Sequence, residues 1–238
     1  MITFSKLGQY GRLGNQLWQI ASTIGIAIKN TQSFKFPYFQ YSKYLPNVPI
    51  YEMENAIDKL PDFAVYQEET PYYKDLSLSV NYNWDLQGYF QSWKYFSHCD
   101  DMIRWYLQFP KLPLKGVAVH VRRGDYLSFQ NIHPVLPIEY YKEAMKHFKN
   151  EEFTIFSDDI EWCKENITGK KISYFEPNGN DWLAFSWMAS HQKFIIANSS
   201  YSFWAAYLSE KDSEIIAPKT WVLNETLDDR IPVEWKRL

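Results

Sequence analysis

The sequence predicts an α/β protein built on doubly wound, mainly parallel sheets. Three observations predict it. Short apolar runs recur in the second half at residues 117–121, 153–156, 172–175, 193–197 and 214–217, each the length of a strand buried on both faces. Helical periodicity separates them, at 137–148, 159–166, 181–190 and 201–208, and β-α alternation of this kind gives parallel strands joined by right-handed crossovers. The amino-terminal residues open in the same way. An apolar run at 2–5 leads into a glycine-bearing loop at 8–16, then Leu17, Ile20, Ala21, Ile24 and Ile28 recur at helical spacing.

Taken in order, residues 2–5 form the first strand and 33–36 a second, closed by Pro37. Residues 37–82 are aromatic, dotted with proline and weakly periodic, which predicts long loops with short elements. A strand follows at 86–90, and a helix opens at 91 and runs to about residue 107. Pro110 and Pro113 then mark a break, which predicts two domains, 1–112 and 113–238. Pro137 stands near the start of its helix, where a missing N–H costs nothing.

The chain has 238 residues, and 46% hydrophobic with 22% charged residues places it among ordinary globular proteins. Aromatic residues reach 18%; such rings fill cores and also line sugar and base sites, where a flat face stacks. A net charge of -3 excludes a general nucleic-acid binder. No apolar run reaches the about 20 residues that span a bilayer, and residues 1–9 lack the apolar core of a signal peptide. The expectation is a soluble, cytoplasmic protein. Peripheral membrane contact through its substrate stays open, without a basic amphipathic helix to promote it. Cys99 and Cys163 are far apart and lack metal-ligand spacing, so two buried thiols are expected.

Four segments carry chemistry. In the first, residues 11–16, Gly11 and Gly14 let the backbone approach a ligand, and Asn15 and Gln16 offer polar groups at a helix start; a plain turn is the alternative. In the second, a buried strand runs through His120 into Arg122, Arg123, Gly124, Asp125 and Tyr126. Ligands sit at the carboxyl edge of open α/β sheets, and a guanidinium grips phosphate oxygens two at a time. Either arginine can hold a diphosphate, or the pair is satisfied by Asp125. Arg123, Gly124 and Asp125 also spell an adhesion tripeptide, a short match common by chance.

In the third segment Asp158 and Asp159 follow a strand. They accept hydrogen bonds from a base or ribose, cap the next helix, or bind a divalent metal with phosphates. In the fourth, Asn198, Ser199, Ser200, Ser202 and Phe203 span a strand end and a helix start, an anion site or a simple N-cap. Together the segments point to a phosphorylated ligand, a nucleotide sugar.

These segments resemble the family-11 glycosyltransferases, the α-1,2-fucosyltransferase family. The family signature His-x-Arg-Arg-Gly-Asp-Tyr is matched at 120–126, and Gly-Gly-Leu-Gly-Asn-Gln is matched at 11–16 with Arg12 in place of the second glycine. A Gly-Tyr-x-Gln-Ser-x-Lys-Tyr-Phe segment is similar to 88–96, and Ile-Ile-Ala-Asn-Ser-Ser is matched at 195–200. The resemblance implies a GT-B architecture, with two Rossmann-like domains facing across a cleft. It implies GDP-fucose as donor, a glycan acceptor, inversion, and no cofactor or obligatory metal. Under it, Arg122 contacts the β-phosphate, Asp158 and residues 199–203 hold the nucleotide, and Asn15 and Gln16 face the reacting sugar. Residues 37–82 align with no family motif, and under the resemblance they lie in the acceptor-facing domain.

Negative charge grows on the β-phosphate as the sugar departs, so a fixed cation there favours the transition state. The candidate catalytic residues are therefore Arg122 and His120. His120 orients the arginine, touches phosphate or acts as a base, and Arg123 holds phosphate or braces the loop through Asp125. Candidate donor-binding residues are Gly14, Asn15, Gln16, Arg122, Arg123, Asp125, Asp158, Asn198, Ser199, Ser200, Ser202 and Phe203. Two alternatives stand beside fucosyl transfer: a non-catalytic nucleotide-sugar or glycan-binding module, and a transferase using another GDP-deoxysugar.

Overall fold

The computed structural model describes residues 1–51, 62–223 and 229–238. The chain divides into two compact units, Met1–Phe109 and Pro110–Leu238.

The first unit holds a parallel sheet of three strands, β1 (Ile2–Thr3), β2 (Phe63–Gln67) and β3 (Asn83–Gln87), in the order β1-β3-β2. Its main helix, α1 (Leu13–Lys29), is buried along almost its whole length. Leu17, Trp18, Ile20, Ala21 and Ile24 fill the core, while Gln16, Gln19, Ser22 and Thr23 form a buried polar stripe. A β-carbon at Gly25 would collide with the Tyr95 carbonyl oxygen, so this glycine permits close helix packing. Asn30 ends the helix and ties down the 76–78 segment: its Nδ2 donates to the Ile26 and Leu76 carbonyls, and its Oδ1 accepts from Leu78 N–H at 2.7 Å.

The second unit holds six parallel strands: β4 (Val117–Val121), β5 (Phe153–Ser157), β6 (Ile172–Tyr174), β7 (Lys193–Ile195), β8 (Glu214–Ala217) and β9 (Lys236–Arg237). Their order is β6-β5-β4-β7-β8-β9. Helices α3 (Ile138–Met145), α4 (Ile160–Asn166), α5 (Asp181–Met188) and α6 (Ser200–Tyr207) connect them, and α2 (Asp100–Tyr106) belongs to the first unit. Val117, Val119 and Val121 point into a core with Tyr140, Tyr141, Ala144, Ile155, Cys163 and Ile195. Strand side chains alternate between faces, so Ala118 and His120 point the other way, where the His120 ring meets Tyr201 of α6 at 5.6 Å. Both cysteines are buried and free, and burial raises the Cys99 thiol to about 11.

Several elements differ from expectation. Residues 33–36 make only isolated bridges, Ile2↔Phe34 and Phe36↔Ile50, because Thr3 Oγ1 captures the Lys35 carbonyl at 2.8 Å. The helix expected from residue 91 begins as two 3-10 turns, Trp93–Tyr95 and Ser97–Cys99, before α2; the Ser92 hydroxyl accepts from Lys94 N–H and caps the first. β2 lies within the stretch expected to be loop. It is an edge strand paired only with β3, and its Val65 is 57% exposed, so it lacks a clean alternating pattern. Residues 52–61 of that stretch lie outside the described residues. β9 was not anticipated, being two polar residues long.

Candidate functional site

Chain order and strand order disagree at one place in the second unit. β4 is followed outward by β5 and β6, and the chain then returns to the other side of β4 with β7. Loops diverge at such a switch point and leave a ligand crevice at the strand carboxyl ends. Three adjacent strands deliver polar segments to that edge: β5 ends at Asp158 and Asp159, β4 at Arg122 and Arg123, and β7 at Asn198 and Ser199.

The charges there hold one another. Arg122 donates through Nη2 to Asp125 Oδ1 at 2.6 Å and through Nη1 to Asp158 Oδ2 at 2.9 Å. Its guanidinium carbon stands 5.2 Å from the Tyr126 ring centroid. Arg123 donates Nε–H to Asp159 at 3.0 Å and lies 3.9 Å over the Trp162 ring, while its main-chain N–H donates to Asp158 Oδ1 at 2.9 Å. The Arg122 side chain is 16% exposed and that of Asp125 is 42% exposed, so the arginine is fixed while the outer carboxylate meets solvent. Asp125 does pair with an arginine of the signature, as one reading expected, but with Arg122: it opens a 3-10 turn (Asp125–Ser128) that carries its carboxylate back to Arg122, while Arg123 takes Asp159 in place of the expected Asp125 brace. Gly124 sits tight against Asp158, where a β-carbon would collide with a carboxylate oxygen.

His120 is 5% exposed and its Nδ1 has no hydrogen-bond partner. Burial first, and the Arg122 charge second, pull its pKa down to about 3. It is a neutral imidazole at pH 7, and such a weakly basic nitrogen is ill suited to take a proton there.

At the β7 end, Asn198 is a strut. Its Nδ2 donates to the Pro134 and Trp221 carbonyls at 3.0 and 2.9 Å. Its carbonyl accepts the Tyr126 hydroxyl at 2.9 Å, which ties the β4 loop to the β7 loop across the switch point. Ser199 is the N-cap of α6 yet makes no side-chain cap bond. Ser202 and Phe203 face inward: Ser202 Oγ donates to the Ala197 and Ser199 carbonyls, and the Phe203 ring packs on Tyr207 and Trp235. Ser200 and Tyr201 are the half-buried residues of that first turn.

Gly14, Asn15 and Gln16 belong to the first unit. Gly14 and Gln16 are buried in α1, and Gln16 Nε2 donates to the Gly11 carbonyl at 3.3 Å. Asn15 is half-buried and its Oδ1 accepts from Gln91 at 2.9 Å. Gly11 takes φ +84°, and a β-carbon there would collide with Asn15, so the glycine turn is a close approach as well as a turn.

Three further residues complete the edge, and of these only Trp162 carried no sequence expectation. Tyr126 ends the matched signature and stacks on His133 at 4.8 Å, and burial raises its phenol to about 12. Asp159 is both partner to Arg123 and cap of α4, accepting from Trp162 N–H. Trp162, three residues further along, covers Arg123; its i,i+3 relation to Asp159 is the available signal. Among the described residues no group of three or more His, Cys, Asp or Glu side chains is placed to hold a metal ion, and no helix is long and apolar enough to cross a membrane.

Comparison with known proteins places this geometry. An alpha-1,2-colitosyltransferase of Escherichia coli is 28% identical over 279 aligned positions, covering 96% of each chain. A galactoside alpha-(1,2)-fucosyltransferase 1 of Bos taurus is 28% identical over 248 positions, 87% of this chain and 67% of that protein. The fucosyltransferase NodZ from Bradyrhizobium superposes with a TM-score of 0.57 at 10% identity, over 87% of this chain and 92% of that one. That likeness shows a shared GT-B-like α/β fold. The family model for Glycosyl transferase family 11 matches residues 8–238, which sets aside the reading of a non-catalytic module. The chain belongs to glycosyl transferase family 11 and is a glycosyltransferase.

Proposed function

We propose that this enzyme transfers L-fucose from GDP-fucose to a galactose hydroxyl of a glycan acceptor, forming an α-1,2 linkage with inversion and without an obligatory metal. The observation that carries the reading is a fixed guanidinium, Arg122, at the β4–β7 switch point. In this reading the second unit, expected from residue 113 onward, holds the donor, and the first faces the acceptor. The names of similar proteins support both parts: alpha-1,2 transfer to galactosides in one, and a NodZ structure soaked with GDP-fucose in another.

Departure of the sugar leaves charge on the β-phosphate of GDP. Arg122 is already oriented by Asp158 and by the Tyr126 ring, so little reorganisation accompanies bond breaking. Asp125, the more exposed partner, yields its hydrogen bond to the phosphate, while Asp158 and Arg123 keep the loop in place. The amino end of α6, from Ser200 onward, supplies further anion contacts. His120 acts as a positioning residue, packed under Tyr201 and behind Arg122, and the proton of the acceptor hydroxyl goes elsewhere.

A second donor is favoured by one observation. The relative that matches over 96% of both chains is a colitosyltransferase, and colitose is fucose without the C3 hydroxyl. A site that hydrogen-bonds that hydroxyl discriminates by about 10⁴ between the two sugars. The test is thermal unfolding with GDP, UDP and ADP, followed by transfer assays with GDP-fucose and GDP-colitose on a panel of β-galactosides. GDP raises Tm by mass action more than UDP or ADP does, and GDP-fucose is the faster donor. Equal shifts from all three nucleotides, or transfer from neither sugar, contradict the proposal; faster transfer from GDP-colitose replaces the donor.

A further inference from the structure

The family-like segment at 88–96 has no part in the proposed donor chemistry, yet its first turn is heavily braced. Phe90 holds φ at 49° and Gly88 at 146°, and a positive φ on a bulky residue is strained. Four side-chain bonds hold the turn. The Glu68 carboxylate accepts the main-chain N–H groups of Tyr89 at 2.6 Å and Phe90 at 2.9 Å. From α1, Gln19 donates to the Gly88 carbonyl at 3.4 Å and Ser22 to the Phe90 carbonyl at 2.8 Å. The Phe90 ring is buried against Phe4, Tyr66 and Tyr95. The residue mounted on this turn contributes little to the core, because Tyr89 is 47% exposed. Strain over-determined in this way clusters at ligand clamps.

The surroundings suit a sugar. Tyr89 meets Tyr10 edge-on at 6.1 Å, and Lys6 stands over the Tyr10 ring while donating to Gln87 Oε1 at 2.9 Å. Gln67 donates to the Gln87 carbonyl at 3.1 Å. These groups follow β1, β2 and β3 at the carboxyl edge of a parallel sheet, where ligands collect. The acids of the region are engaged inward, Asp85 with Ser5 and Glu68 with the turn. What is presented outward is the half-exposed Tyr89 ring with Tyr10 against it, beside Lys6, whose ammonium keeps N–H groups beyond the one given to Gln87; the Gln67 and Gln87 amides are spent on the Gln87 carbonyl and on Asp85. That chemistry takes the C–H face of a neutral pyranose and hydrogen-bonds its hydroxyls.

We infer that Tyr89, backed by Tyr10, is the stacking platform for the terminal galactose of the acceptor, an inference that rests on the transferase reading. The test is titration of lactose and N-acetyllactosamine into the GDP-loaded enzyme, followed by saturation-transfer NMR, for wild type, Tyr89→Ala, Tyr89→Phe and Tyr82→Ala. Tyr82, 60% exposed, precedes the amino end of β3 and serves as the control. Tyr89→Ala weakens glycan binding by about tenfold, Tyr89→Phe retains it within about twofold, and Tyr82→Ala matches wild type. The GDP-induced Tm shift is the same in all four, which shows the fold and donor site intact. Wild-type affinity in Tyr89→Ala, or no binding of either glycan to wild type, overturns the inference. Galactoside transfer that survives in Tyr89→Ala with unchanged KM sinks the platform and leaves the transferase reading standing. Tyr89-dependent glycan binding without transfer sinks the proposed fucosyl transfer to galactosides and leaves the platform.

Discussion

The two sheets expose different chemistry at corresponding edges. In the second unit, Arg122, Arg123, Asp125, Asp158 and Asp159 converge on the carboxyl ends of β4 and β5 and pair with one another. In the first unit, the same edge carries Tyr10, Tyr89, Gln67, Gln87 and Lys6, and its carboxylates are engaged by main-chain and hydroxyl donors. Guanidiniums held in ion pairs are oriented and ready to exchange a carboxylate for a phosphate. An aromatic edge with amide groups offers a diphosphate much less and a neutral sugar much more. A transferase joins an anionic donor to an uncharged hydroxyl, and each edge matches one of these substrates.

Three perturbations can break this comparison, and the largest is at Arg122. Arg122→Ala lowers kcat by about a hundredfold or more, the scale of a lost charge stabiliser, while glycan binding at the first unit stays as it was. Steady-state kinetics with a thermal-unfolding control checks this; near-normal turnover in a folded variant contradicts the assignment. Gly124→Ala comes next. Its β-carbon displaces the Asp158 carboxylate, which loosens both Arg122 and the Arg123 N–H. GDP affinity falls by about tenfold, the scale of a lost charge-assisted bond, as calorimetry measures. Unchanged affinity means that Asp158 takes no part in holding the donor loop.

The smallest effect at neutral pH concerns His120. Its pKa lies at about 3 in the folded state against 6.5 ordinarily, so below pH 6.5 the unfolded chain binds the extra proton. Stability from this group is complete above pH 6.5 and declines as pH falls toward 3, by up to about 1.4 kcal/mol per unit. His120→Phe, which keeps a ring beside Tyr201, flattens the acid limb of a urea-denaturation series. His191, also lowered by burial, leaves a residual slope. Identical acid limbs in variant and wild type contradict the burial argument.

The second unit was the more legible in sequence. Its central strand β4 is buried at all five positions, so burial wrote itself as an unbroken apolar run. β4 and β8 match their expected limits, and the neighbouring elements shift by only a few residues. The first unit was harder for physical reasons. β2 is a half-exposed edge strand, and the 3-10 turns after residue 92 follow from one serine cap and from packing against α1. The site shows the same divide. That Arg122 stands at a strand end was readable from the His120–Tyr126 run. That Asp125 satisfies an arginine of the run was readable as well; that it takes Arg122 and leaves Arg123 to Asp159 depends on the direction of a 3-10 turn. Likewise, nothing in a Gly-Tyr-Phe sequence announces that Phe90 adopts a positive φ; the bonds from Glu68, Gln19 and Ser22 impose it.

A crystal structure of the enzyme with GDP tests the central claim most directly. The account predicts the diphosphate at the β4–β7 switch point, with a β-phosphate oxygen within hydrogen-bond distance of Arg122 and Asp125 turned away from it. A diphosphate seated elsewhere, with the Arg122–Asp125 and Arg122–Asp158 pairs undisturbed, contradicts it.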